Sequence, residues 1–172
     1  MNRKRSKRNG VQRGQALIEL AFLMPILAGL CIGVIEMGRY AYVSILIGNA
    51  ARGGAGYGSQ SLPQSVDTTG IANVAKYDFA GATGGTTKKN GQLASALTVT
   101  SVVSCGCDSS GTTVTAGCST DTNPSAGSCA SGHWVVVLSV TATGTFSALF
   151  NYPWIPSSIT VTRTSSMRVA QS

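Results

Sequence analysis

The chain has 172 residues, with 13 Lys and Arg against 6 Asp and Glu, a formal net charge of +7. Six of the bases (Arg3, Lys4, Arg5, Lys7, Arg8 and Arg13) fall before residue 14, leaving seven bases and six acids for everything else. Basicity is therefore an N-terminal tag, which speaks against a nucleic-acid surface, where bases spread over a fold and interleave with aromatics. Only 11% of residues are charged, against about 25% in a soluble domain, and a single histidine with six scattered acids leaves little for an active site. Composition speaks against an ordinary cytosolic enzyme.

From Ala16 to Ile35 the chain reads ALIELAFLMPILAGLCIGVI, with one charge at Glu19. As helix, that run rises about 30 Å, the thickness of a hydrocarbon core. It lacks the polar stripe at 3.6-residue spacing that a core helix of a soluble domain would show. A transmembrane segment is predicted. Arg39 and Arg52 are the only bases in the twenty residues after it, so the positive-inside rule puts the basic arm in the cytoplasm and the rest outside. No convincing A-x-A-like cleavage site follows the apolar run, so it stays on the mature protein.

Beyond the span, Glu36 and Arg39 stand three apart, close enough to pair on a helix. Tyr40 and Tyr42 follow at the level where aromatics gather at membrane interfaces. Val43, Leu46, Ile47 and Ala50 then recur at helical spacing as one apolar face, and Gly53-Gly54 reads as a helix stop. One helix from about Gln15 to Arg52 is expected, its second half packed on a domain or a partner. Three features exceed what an anchor needs. An acid at the bilayer centre costs on the order of 3 kcal/mol, less near the end of a span, so Glu19 has either a function or a tolerable structural position. Gly14 marks the join of basic arm and apolar run. Pro25 interrupts the helix, as is tolerated where neighbours re-satisfy the freed carbonyl.

Together Arg13-Gly14-Gln15-Ala16-Leu17-Ile18-Glu19 resembles a type IV prepilin leader. The longer stretch GQALIELAFLMPILAGLCIGVIEMGRYAYVSILIGNAARGGAGYGS resembles the TadE-like family of tight-adherence (Flp) pilus assembly proteins. Gly14, Glu19, Pro25, the run 35–39 (IEMGR) and Asn49-Ala50-Ala51-Arg52 carry that resemblance over about 45 residues; Leu20 departs from the aromatic residue usual after the glutamate. The resemblance implies cleavage between Gly14 and Gln15 by a membrane aspartyl prepilin peptidase, with Glu19 the fifth residue of the mature chain. The new amine on Gln15 would lie about one turn from Glu19, and a carboxylate in low dielectric favours an opposite charge nearby. In pilins the amine of one subunit is thought to meet the glutamate of its neighbour, which would set axial register.

Residues 54–70, rich in Gly and Ser with Pro63, read as a linker. Thr68 or Thr69 is expected to cap a short helix through Ile71, Val74, Ala75 and Phe79. A loop over 81–91 follows, with Lys88-Lys89 as a solvated turn. Segments 97–103, 134–143 and 159–169 alternate or are β-branched-rich, as strands are. Between the last two, residues 146–156 (FSALFNYPWIP) are apolar with two prolines. They read as a loop covering the sheet, or alternatively as a membrane-surface or partner contact. The fold class is α+β: a long pilin-like transmembrane helix, then a small extracytoplasmic head with a short helix and an antiparallel sheet of three or four strands. The predicted division is a basic cytoplasmic leader over 1–14, the transmembrane and amphipathic helix over 15–53, the linker over 54–70 and the head over 71–172.

Cys31 lies in the span as a small packing residue. Cys105, Cys107, Cys118 and Cys129 form C-x-C-x10-C-x10-C in a Gly/Ser/Thr-rich excursion over 104–130. An even count outside the cytoplasm reads as two disulfides. A Cys105–Cys107 ring would be very tight, so each is expected to reach Cys118 or Cys129. A four-cysteine zinc site is the competing reading, but C-x-C is short for it. His133 has no serine and acid assembled around it, and no phosphate loop, metal spacing or cofactor motif appears. The expected role is a minor pilin-like, non-enzymatic component in the cytoplasmic membrane. Its partners would be the membrane, other pilin-like subunits, the assembly machinery and the prepilin peptidase, with neither nucleic acid nor small-molecule substrate. The alternative is a signal-anchored surface binding module that never enters a filament.

Overall fold

The computed structural model describes residues 9–80, 97–108, 116–117, 129, 132–149 and 157–170. The chain divides into two units, Met1–Tyr40 and Ala41–Ser172. The expected basic leader (1–8 of it), the loop over 81–91 with Lys88-Lys89, Cys118 and residues 150–156 lie outside the described residues.

Helix α1, Asn9–Gly58, is 50 residues long and contains Pro25. It begins before Gln15 and does not stop at Gly53-Gly54, as expected from the glycine pair. Within the second unit its residues Val43, Ile47, Ala50, Ala51 and Ala55 are buried, a stripe at helical spacing. The glycines among them serve approach rather than termination. A β-carbon on Gly58 would collide with Leu138, and one on Gly144 of the facing strand would come 2.9 Å from Ile47 Cδ1. Glycine costs a helix up to about 1 kcal/mol relative to alanine, and here that cost lets helix and sheet close on one another.

The expected linker is helical over part of its length. After Gly58 come α2, Leu62–Val66, and α3, Thr68–Ala80. Ser61 caps α2: its Oγ accepts from the Gln64 backbone N–H at 3.4 Å and donates to Gln64 Oε1 at 2.9 Å. That is a Ser-x-x-Gln capping arrangement, with Pro63 tolerated in the first turn. The cap of α3 is Asp67, not Thr68 or Thr69: Asp67 Oδ1 accepts from the Gly70 N–H at 2.8 Å. A carboxylate satisfies that orphan donor and also complements the positive end of the helix. Ile71, Ala75 and Phe79 of α3 are buried, four apart along one face.

Four strands, β1 (Thr98–Asp108), β2 (Ala116–Gly117), β3 (His133–Ser147) and β4 (Ser158–Arg168), form an antiparallel sheet in the order β2-β1-β3-β4. Along β3, Val136, Leu138, Val140, Ala142 and Phe146 are buried; they face the helices while their neighbours point away, the period of two that one-sided burial requires. The opposite face is uncharged over most of its length. There Ser139 bonds Ser166 at 2.8 Å, Thr141 bonds Thr164 at 2.9 Å and Thr143 bonds Thr162 at 3.2 Å. These hydroxyl rungs cover a sheet face without ionic groups, which is how the head exists with so few charges. After β4, the Val169 N–H donates to the Val136 carbonyl at 2.9 Å and the Ala170 N–H to the Ser59 carbonyl at 2.8 Å. The end of β4 is thereby tied to the end of α1.

Two placements differ from expectation. Cys105 and Cys107 are part of β1, opposite Val136 and Trp134, instead of standing in an excursion between strands. β3 runs on to Ser147, so Phe146, expected at the start of a covering loop, is a buried strand residue opposite Ile159. In both cases pairing with a neighbouring strand extends the regular structure past the point where the apolar alternation weakens.

Candidate functional site

The residues singled out for function on the apolar helix all lie in the first unit. A β-carbon on Gly14 would meet nothing within 4 Å. One residue later Gln15 Nε2 donates to Glu19 Oε1 at 3.4 Å, the i,i+4 contact available on a helix surface. Glu19 is exposed and no basic side chain among the described residues forms a salt bridge with it. Leu17, Ile18, Leu20, Phe22, Leu23 and Met24 around it are exposed too, so the segment is apolar on every side and offers that surface to lipid or to other helices. It is the one helix among the described residues long and apolar enough to cross a membrane, by length and composition. Pro25 lies inside the helix without ending it. Cys31 is exposed on the same segment with a free thiol.

Farther along, Arg39 Nη1 lies 3.0 Å from Glu36 Oε2, with Glu36 the more covered partner at 13% exposed. The pair neutralises both charges just past the apolar run, which lowers the cost of holding them near lipid.

The head holds its polar groups in structural pairs. Tyr57 Oη donates to Asp67 Oδ2 at 3.0 Å. The Gly70 N–H first, and then the Tyr57 hydroxyl, hold the Asp67 carboxyl below its ordinary range. Arg163 on β4 donates to Ser44 of α1, and Arg168 Nη2 meets Asp108 Oδ2 at 2.6 Å across the sheet. Cys107 and Cys129 form a disulfide with their Cα atoms 5.7 Å apart, fastening β1 to the residues just before β3. Cys105 is disulfide-bonded as well. No group of three His, Cys, Asp or Glu side chains among the described residues can hold a metal ion. His133 stands opposite Asp108 in the strand register.

Sequence reasoning overlooked the Asp67 cap with its Tyr57 partner, the Arg163–Ser44 bond and the close-approach glycines. For the glycines the signal was present: Ala50, Ala51, Gly54, Ala55 and Gly58 repeat at three- and four-residue intervals, as the small residues of a tightly packed helix face do.

Residues 14–55 match the family described as TadE-like protein. That match supports a role associated with tight-adherence (Flp) pili, and a single N-terminal apolar helix fits a single-pass membrane protein. No curated protein and no solved structure matches the chain.

Proposed function

We propose that this chain, TadE-like over residues 14–55, is a minor pilin-like subunit of a tight-adherence pilus or related secretion system in a bacterial cell envelope. Its work is structural and not enzymatic. The observation that carries this reading is the helix surface at 14–24: apolar on all sides, exposed, and interrupted by the single carboxylate of Glu19. A prepilin peptidase would remove residues 1–14 and leave an amine on Gln15. That amine, on a neighbouring subunit, would give Glu19 the opposite charge it lacks among the ion pairs of the described residues, since an acid in low dielectric is stabilised by a close cation. The helix supplies packing, Glu19 the register, and the head faces out.

Mass spectrometry of the protein from native membranes tests this directly. A mature chain beginning at Gln15, methylated or cyclised there or not, is expected. A chain retaining Arg3 to Arg13 would remove the processed-pilin mechanism and leave a signal-anchored binding module whose function resides in the head.

A further inference from the structure

Cys105 and Cys107 stand two residues apart on β1 and both are disulfide-bonded, yet their surroundings differ. Cys105 is 1% exposed and packs in the cluster of Ala55, Ile71, Val136, Leu138 and Val140; its partner lies outside the described residues. Cys107 is exposed, and Cys129, to which it is bonded, is half-buried. Thiol–disulfide exchange requires a thiolate to reach a sulfur, so access decides which bridge reacts. A reagent in water meets Cys107 while the fold stands. Reaching Cys105 means parting α1 and α3, which carry Ala55 and Ile71, from the sheet.

The strands around Cys107 are also held by bonds other than the bridge. β1 pairs with β3 from Thr98 to Asp108, so the ladder continues past Cys107 on both sides. At its far end Asp108 Oδ2 meets Arg168 Nη2 of β4 at 2.6 Å, a second tie across the sheet one residue beyond the sulfur. On the other arm of the bridge, Gly132 lies between Cys129 and the start of β3 with φ at 87°. Glycine occupies that left-handed region without steric cost. Gly132 is therefore a pivot at which Cys129 can part from Cys107 while β3 keeps its place.

We propose that the Cys107–Cys129 disulfide is a reversible latch, a site of exchange with a dithiol reductant, whereas the Cys105 bridge is permanent. A thiolate of the dithiol attacks Sγ of Cys107, the more exposed residue of the pair. The S–S bond breaks, and Cys129 leaves as a thiolate that takes up a proton. The second thiolate of the reagent then displaces Cys107 from the mixed disulfide, and the Cys107 thiolate is protonated in turn. The bridge has gained two electrons and two protons, and the dithiol has become a disulfide. β1, β3 and β4 stay paired throughout.

The experiment uses the full chain in detergent micelles, with Cys31→Ser to remove the free thiol and dithiothreitol as the dithiol. Aliquots are alkylated with iodoacetamide at increasing times, then denatured, fully reduced and alkylated with N-ethylmaleimide, and each cysteine peptide is weighed. Cys107 and Cys129 should take the first label together, at a rate at least about tenfold above Cys105 and Cys118. Hydrogen exchange on chains stopped at that stage should find the β1–β3 amides still protected. Glutathione, a monothiol, used in place of dithiothreitol should be recovered as an adduct on Cys107. All four cysteines labelled at one rate would overturn the proposal, as would loss of strand protection with the first bridge. An adduct on Cys129 instead would overturn the assignment of Cys107 as the sulfur attacked.

Discussion

Asp67 concentrates several structural roles in one half-buried side chain. Its carboxylate caps α3 through the Gly70 N–H and receives the Tyr57 hydroxyl from α1, joining the end of one helix to the start of another. Those hydrogen bonds hold its pKa below the ordinary value, about 4 for an aspartate in an unfolded chain. A depressed native value means that the stabilisation is complete above the unfolded pKa and is lost as pH falls through the native one. Thermal unfolding followed against pH should therefore show an acid-side loss below about pH 4 that Asp67→Asn reduces. Asparagine is as good a cap as aspartate, so at neutral pH that variant should melt close to the parent. Asp67→Ala, which removes the acceptor, should melt lower at every pH. Glu19 is the opposite case: nothing in the fold of the single chain depends on it beyond the weak Gln15 contact. Glu19→Ala should leave expression, membrane insertion and head stability unchanged while abolishing co-purification with other pilin-like subunits. Unchanged co-purification would remove its role in register.

At the scale of elements, what could be read from residue types was the identity of each segment, and what could not be read was where each one ends. The long helix and the alternating strands announce themselves through apolar content and β-branched period. Their limits are set by partners distant in sequence. Gly53 and Gly54 look like a stop because glycine is costly in a helix, yet α1 passes through them to Gly58 because Leu138 and Val140 need the space beside it. Likewise Cys105 and Cys107 become strand residues through β3, which is far along the chain. Of the candidate site, Gly14, Glu19 and Pro25 were legible because a charge, a glycine and a proline are conspicuous in an apolar run. The Arg163–Ser44 bond was not, since it joins residues 119 apart. The packing explanation makes opposite forecasts for two glycines of one helix. A β-carbon on Gly56 would meet nothing within 4 Å, so Gly56→Ala should stabilise by up to about 1 kcal/mol through helix propensity. Gly58→Ala would intrude on Leu138 and Ile71 and should destabilise by about 1–3 kcal/mol, the usual cost of overpacking. Denaturant unfolding of both variants in the same micelle separates packing from propensity, because propensity alone would stabilise both.

At the scale of the whole molecule the proposed topology links charge to redox state, and thiol tagging tests the link. The six bases before residue 14 outnumber the two, Arg39 and Arg52, that follow the span within twenty residues, and such an excess keeps its side of a span in the cytoplasm. On the proposed topology the head would then be delivered to an oxidising compartment, where disulfides form and persist. There the Cys107–Cys129 bridge closes a separation of 22 residues and should contribute about 3 kcal/mol to a head with a one-sided core. Among the described cysteines Cys31 is the free thiol, and Cys105 is disulfide-bonded. Thiol tagging of the denatured, unreduced protein should therefore add one tag per chain, and peptide mapping should recover Cys107 joined to Cys129 and Cys105 joined to Cys118. Replacing Arg3, Lys4, Arg5, Lys7, Arg8 and Arg13 by glutamine removes the charge that sets orientation. Chains whose heads stay in the reducing cytoplasm should take five tags, one for each cysteine. Retention of the single tag after that replacement would show that the basic arm does not set the topology, and the positive-inside assignment would have to be abandoned.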